Sequence, residues 1–158
     1  MSEADCSYCE NEISDDSDYC PRCGTLITEN VKCKLHELVD AEGVCLICSQ
    51  PYCSDCGDYL KKVFLCNKHN SYEVFEGYVR IFGSSDHLQC EFVKSCLEQN
   101  SLHPVIFSNK FSQMYLGASY SMFKTGEDSN AFIYHEIKIL VPCSEVLEAE
   151  KIILELEL

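Results

Sequence analysis

Six equally gapped pairs of cysteine and histidine, ten of thirteen cysteines crowded between Cys6 and Cys66, and alternating then helical apolar patterns after residue 71 together predict the fold class. It is a set of small metal-stabilised modules followed by an α+β domain of order β-α-β-β-α. The 158 residues leave room for two or three such units, because a module held together by metal does not need a large apolar core. Apolar residues make up 46% of the chain and only four prolines occur, so the chain is expected to fold rather than stay disordered.

The pairs in order are Cys6 with Cys9, Cys20 with Cys23, Cys33 with His36, Cys45 with Cys48, Cys53 with Cys56, and Cys66 with His69. A gap of two residues lets one tight turn aim two side chains at a single ion while its amides point at the sulfurs, so each pair is half of a tetrahedral site. Buried free thiols or disulfides would not require six equal gaps. Twelve ligands make three sites, and Zn²⁺ is the ion expected in each. All three are closed by four protein ligands with no position left for water or substrate, which predicts structural rather than catalytic metal.

The first two pairs, C-S-Y-C and C-P-R-C-G, are separated by ten residues, enough for a hairpin that returns the second knuckle to the first. They form a four-cysteine site of Cys6, Cys9, Cys20 and Cys23. Pro21 fixes one backbone angle of the second knuckle, and Gly24 is free to take the positive φ that such turns use. The acidic stretch ENEISDDSDY between them reads as a solvated loop. The C-P-x-C-G ending resembles a zinc-ribbon knuckle, and also the iron knuckle of rubredoxins, which implies a ribbon over residues 1–30.

The remaining four pairs group in two ways. Sequential grouping gives Cys33, His36, Cys45 and Cys48 one ion and Cys53, Cys56, Cys66 and His69 the other. Interleaved grouping joins Cys33 and His36 to Cys53 and Cys56, and Cys45 and Cys48 to Cys66 and His69. Only four residues separate Cys48 from Cys53, a short link that is easily accommodated when successive pairs serve different ions, and interleaving is favoured. The segment CKLHELVDAEGVCLICSQPYCSDCGDYLKKVFLCNKH is similar to a B-box zinc finger in its C-x2-H opening, its C-x2-C-x4-C-x2-C centre and its closing C-x2-H. It departs from the commonest B-box ending, two histidines, by having Cys66 with His69. The resemblance implies a double-zinc finger over residues 31–70, interleaved as in RING domains, in a family that mostly mediates protein–protein contacts.

From residue 71 the pattern changes. EVFEGYVRIFG alternates and ends in Gly83, a strand followed by a turn. In SSDHLQCEFVKSCLEQN, Ser84, Ser85 or Asp86 is placed to cap a helix whose apolar stripe is Leu88, Phe92, Val93, Cys96 and Leu97, with Asn100 as its stop. HPVIFS supplies a second strand, and strand, helix, strand is right-handed by default. FSQMYLGASYSMFKTGEDSN reads as an irregular strand or flap and then a polar loop. AFIYHEIKILVP alternates as a third strand, and SEVLEAEKIILELEL is a helix capped by Ser144 with Val146, Ala149, Ile153 and Leu156 on one face. This order is most of a ferredoxin-like sandwich, and its missing last strand predicts an open sheet edge suited to homo-oligomer formation. Residues 74 to 156, through the strand "HPVIF" and the close "IKILVPCSEVLEAEKIILEL", also resemble a family of small bacterial signal-transducing domains related in fold to the PII-type regulators. That resemblance implies a regulatory domain over residues 71–158.

The formal charge is −14; ten thiolates add −10 and three Zn²⁺ add +6, giving −14 − 10 + 6 = −18 for the loaded chain. Such a field repels a phosphate backbone, so no nucleic-acid partner is expected. The start MSEADCSYCE lacks a basic region and an apolar core, and no run of eighteen apolar residues occurs, so neither secretion nor membrane insertion is expected and the compartment is read as cytoplasmic. Cys90 and Cys96 lie six apart and read as packing thiols; Cys143, at the start of the second helix, sits where the dipole favours a lowered pKa, but packing is the favoured reading there as well. His87, His103 and His135 fit no metal spacing. No phosphate loop, serine elbow or H-E-x-x-H occurs. The expected function is a non-enzymatic zinc adaptor or regulator with a protein partner; the alternatives are a RING-like ubiquitin-ligase component and a rubredoxin-like iron electron carrier.

Overall fold

The computed structural model describes residues 4–108 and 136–158. The chain divides into two compact units, Met1–Val79 with Pro142–Glu148, and Arg80–Val141 with Ala149–Leu158.

The first unit is built from hairpins too short to bury a core of their own. Strands β1 (Ala4–Asp5) and β2 (Glu12–Ile13) pair antiparallel, with Ala4 opposite Ile13 and Asp5 opposite Glu12. β3 (Gly43–Val44) and β4 (Pro51–Tyr52) pair likewise, as do β5 (Gly57–Leu60) and β6 (Val63–Cys66), the longest of these ladders. Single bridges join Tyr19 to Leu26 and Lys32 to Asp40. The acidic loop between the first knuckles is mostly solvated, but Ile13 turns inward and packs with Cys6, Cys20 and Cys23. Two-stranded ribbons of this length are not stable alone in water, so something besides apolar burial must hold them.

A four-stranded sheet follows, in the order β7-β8-β10-β9. β7 (Val74–Phe75) and β8 (Tyr78–Ser84) correct the expectation of one continuous strand. They form a hairpin that turns at Glu76 and Gly77, both in the left-handed region at φ 46° and 87°. An X-Gly pair between alternating runs is a hairpin signal, and alternation continuing across it masks the turn. β9 (Val105–Ser108) pairs antiparallel with β10 (Ile137–Pro142), Ser108 opposite Ile137 and Val105 opposite Leu140. On the side of β8 where a last strand was expected to be missing, β7 pairs with Tyr78 and Val79. The flap expected over FSQMYLGASYSMFKTGEDSN, the first half of the expected third strand and His135 lie outside the described residues.

Helix α1 spans His87–Gln99 and is capped by Asp86, whose carboxylate accepts from the amides of Leu88 and Gln89. It ends at Asn100 in a Schellman motif: Ser101, at φ 62°, donates to the Glu98 carbonyl and Leu102 to that of Leu97. Its buried stripe is Cys90, Val93 and Leu97. This corrects the expected one, since Leu88 is 79% and Phe92 52% exposed. At about 100° per residue Leu88 and Phe92 fall on nearly the opposite side from Cys90 and Leu97, and a small thiol filled the inward position. Helix α2 spans Val146–Glu155 and buries Val146 and Ala149, with Ile153 and Leu156 half-buried on the same face. A 3-10 turn, Cys143–Glu145, leads into it without a side-chain cap, so Ser144 lies inside the turn rather than capping the helix. Arg80 and Glu136 form an ion pair, and its charged ends occupy the space beside Gly83.

Candidate metal centres

Each ligand pair sits where a hairpin reverses or where a strand begins or ends. Cys6–Cys9 lies between β1 and β2, Cys20–Cys23 inside the Tyr19–Leu26 bridge, Cys33–His36 inside the Lys32–Asp40 bridge, and Cys45–Cys48 between β3 and β4. Cys53–Cys56 runs directly into β5, and Cys66 is the last residue of β6, followed by His69. Four knuckles close the same way. The amides of Glu10, Gly24, Ser49 and Gly57 donate to the carbonyls of Cys6, Cys20, Cys45 and Cys53 at 2.7–3.1 Å. Glu10, Gly24 and Ser49 take positive φ to do so.

These turns gather all twelve ligands into three clusters: Cys6, Cys9, Cys20 and Cys23; Cys33, His36, Cys53 and Cys56; and Cys45, Cys48, Cys66 and His69, the ligand atoms of each lying within 4.8 Å of one another. The second and third clusters are made of alternate pairs. The β5–β6 hairpin is the reason, because Gly57 is paired with Cys66 at its open end. Its two legs therefore deliver Cys56 and Cys66 to different clusters. Among the described residues no other group of this kind occurs, and His87 and His103 join none.

The spacing fits tetrahedral zinc. Four sulfurs about 2.3 Å from one ion stand about 3.8 Å apart, and a sulfur and an imidazole nitrogen about 3.6 Å. In the first cluster Cys6 and Cys23, and Cys9 and Cys20, are each 3.6 Å apart. His36 Nδ1 lies 3.9, 3.4 and 3.4 Å from the sulfurs of Cys33, Cys53 and Cys56. His69 Nδ1 lies 3.5 Å from Cys45 and 3.2 Å from Cys66. All thirteen cysteines are free thiols, and a disulfide would hold its sulfurs at about 2.0 Å. Three groups of types CCCC, CHCC and CCCH are thus positioned for three zinc ions. Each group already supplies four donors.

The surroundings prepare some sulfurs as thiolates and leave others for the metal to deprotonate. At Cys6 and Cys33 burial resists ionisation, but backbone amides outweigh it. Those of Cys9 and Tyr8 bring Cys6 down to about 7, and those of Cys53, Leu35 and His36 bring Cys33 to about 6, from an ordinary 9.0. Burial pushes Cys23, Cys45 and Cys56 up to about 12. A bound divalent ion deprotonates such thiols outright, so metal uptake here releases protons. Cys143 is a packing thiol: it is buried, and burial pushes its thiol up to about 11 against any lowering by the helix end.

One phenylalanine lies against glycines beside all three clusters. Phe64 is fully buried. A Cβ at Gly43 would stand 2.5 Å from the ring, and one at Gly57 2.7 Å; one at Gly24 would meet the Phe64 Cβ at 3.1 Å. Gly24 follows Cys23 of the first cluster, Gly57 follows Cys56 of the second, and Gly43 precedes Cys45 of the third by two residues. Main-chain bonds reinforce the packing: the Phe64 amide donates to the Cys23 carbonyl at 2.8 Å, and that of Val44 to the Gly24 carbonyl at 2.8 Å. Residues that spacing alone does not expose lie just outside the ligands. Thr25 Oγ1 is 3.1 Å from Cys23 Sγ, and the Tyr52 hydroxyl is 3.6 Å from Cys48 Sγ. Their only sequence signal is adjacency to a ligand pair.

Compared with known protein families, curated proteins and solved structures, the chain has no significant match.

Proposed function

We propose that this protein is a non-enzymatic, zinc-dependent adaptor or regulator that works by presenting a metal-braced surface to a protein partner. The observation that carries the reading is closure: every cluster has four protein donors, and eight of the twelve ligands are buried, leaving the metal no site for a substrate. The alternate grouping of the second and third clusters supports a B-box-like module. The strand order β8-β10-β9, with α1 between β8 and β9, supports a ferredoxin-like regulatory domain. Free thiols throughout suit a reducing, cytoplasmic setting; among the described residues no helix is long and apolar enough to cross a membrane. The surface offered lies at the second cluster's first pair, where Leu35 within the pair and Leu38 and Val39 just after it are exposed, Leu38 at 94%. Isolated exposed apolar residues are ordinary, but three within five residues at a metal-held knuckle form a contact tip.

The test is photo-crosslinking from a probe placed at exposed residue 37 of the zinc-loaded chain in cell extract, beside the same probed chain stripped of metal and one that also carries Leu38→Asp. A discrete crosslinked protein that needs both zinc and Leu38 supports the reading. Metal-dependent turnover of a substrate with no such adduct sinks it.

A further inference from the structure

The first cluster differs from the other two in charge. Four thiolates on one Zn²⁺ leave an excess of −2, against −1 where a neutral imidazole replaces one thiolate, and the chain around it is itself acidic at −14. Hydrogen-bond donors to sulfur therefore matter most here. One sulfur of this cluster, Cys23, sits close to a pair of linked hydroxyls. Thr25 Oγ1 lies 3.1 Å from Cys23 Sγ and 3.0 Å from the hydroxyl of Tyr59. A metal-bound thiolate only accepts. Thr25 has a single hydroxyl proton and must give it to sulfur, so its oxygen accepts from Tyr59. The bound metal thereby sets the direction of the whole chain, Tyr59 to Thr25 to Cys23.

Tyr59 comes from β5, three residues beyond Cys56 of the second cluster. Its ring also packs against that of Tyr8, tilted by 34° at a centroid distance of 4.6 Å, and Tyr8 lies between the first two ligands, Cys6 and Cys9. One side chain from outside the ribbon thus touches both of its knuckles, one through its ring and the other through the hydroxyl. Phe64 also contacts Tyr59, the two rings meeting edge-on at 5.2 Å.

We infer that Tyr59 is a positioning residue for the four-cysteine centre: through Thr25 it stabilises the Cys23 thiolate and holds the two knuckles together, so that retention of this metal depends on a hairpin whose own legs serve the other two. Outer donors of this kind change metal retention by roughly 10–100-fold.

The experiment uses the full chain loaded with Zn²⁺, mixed with excess chelator and followed by native mass spectrometry. Tyr59→Phe keeps both ring contacts and removes only the donor; Thr25→Val removes the relay, and Thr25→Ser retains it. The expected result is loss of one ion roughly ten times faster in Tyr59→Phe and Thr25→Val than in the parent chain, through a two-ion species, with Thr25→Ser releasing at the parental rate. Loading with ¹¹³Cd identifies the centre, because the four-sulfur resonance should move in both variants while the two mixed sulfur–nitrogen resonances stay. Parental release rates in Tyr59→Phe, or movement of a mixed resonance with the four-sulfur line unchanged, would overturn the inference while leaving three metal centres intact. A parent chain that binds fewer than three ions would remove the premise and the inference together.

Discussion

Replacing Phe64 by alanine tests whether one ring supports all three metal centres. The side chain is fully buried and fills the space that three glycines leave open. Removing such a ring from a core costs about 3–5 kcal/mol, a large share of the roughly 5–15 kcal/mol that holds a domain folded. At about 4–8 °C per kcal/mol for a unit of this size, the midpoint of thermal unfolding should fall by at least about 12 °C. The main-chain bonds of residue 64 to Cys23 and Leu46 survive the substitution, so the loss measures the ring. The assay is circular dichroism of zinc-loaded protein through a thermal ramp, with the bound ions counted by native mass spectrometry before and after mild heating. Loss should involve ions from all three clusters, because Gly57 and Gly43 beside the second and third approach the ring, and Tyr59, which contacts the first, meets it edge-on. A midpoint within about 4 °C of the parent, equivalent to less than about 1 kcal/mol, would refute the central role. So would loss confined to one ion.

Gly24 and Gly77 should respond unequally to asparagine. Both hold positive φ, but a Cβ at Gly24 collides with the Val44 carbonyl whereas one at Gly77 meets nothing within 4 Å; urea denaturation should show Gly24→Asn costing more than about 1 kcal/mol and Gly77→Asn less. On α1, Val93→Ala should destabilise by about 1–3 kcal/mol while Leu88→Ser stays within about 0.5 kcal/mol, in the same denaturation series. Cys143 gives a pH signature. Its folded-state pKa of about 11 lies above the ordinary 9.0, so the stability held by its neutral thiol is complete below pH 9 and is lost as pH rises towards 11. Cys143→Ala should flatten that part of the stability profile, and at pH 8 thiol alkylation read by peptide mass should reach half-buried Cys96 well before Cys143.

The metal centres were the most legible part of the chain because ligand spacing is a local rule: a two-residue gap dictates a knuckle whatever surrounds it. Their alternate grouping was favoured from the short link between Cys48 and Cys53, and its geometric cause, the pairing of Gly57 with Cys66, is a register that no local rule supplies. Phe64 was not legible at all. In sequence it is one apolar residue of VFLC, and only the tertiary approach of Gly24, Gly43 and Gly57 makes it central. In the sheet region, Asp86 and Asn100 stood out as helix boundaries through cap chemistry. The stripe between them was misjudged because Leu88 and Phe92 outweigh Cys90 in any hydrophobic ranking, while burial follows the side that faces β10, where Cys90 Sγ lies 3.8 Å from the Ile137 carbonyl.

The division of the β5–β6 hairpin's two legs between different clusters imposes an order on biosynthesis. The four-cysteine cluster has all its ligands once Cys23 has been made, but neither mixed cluster is complete until Cys56 and then His69 have followed. In the interval Cys33, His36, Cys45 and Cys48 form a full set of four donors with no rightful partner yet present, and one ion can draw them into the wrong tetrahedron. The correct arrangement then requires ligand exchange rather than simple closure. Metal arriving late, after the hairpin has paired Gly57 with Cys66, avoids that trap.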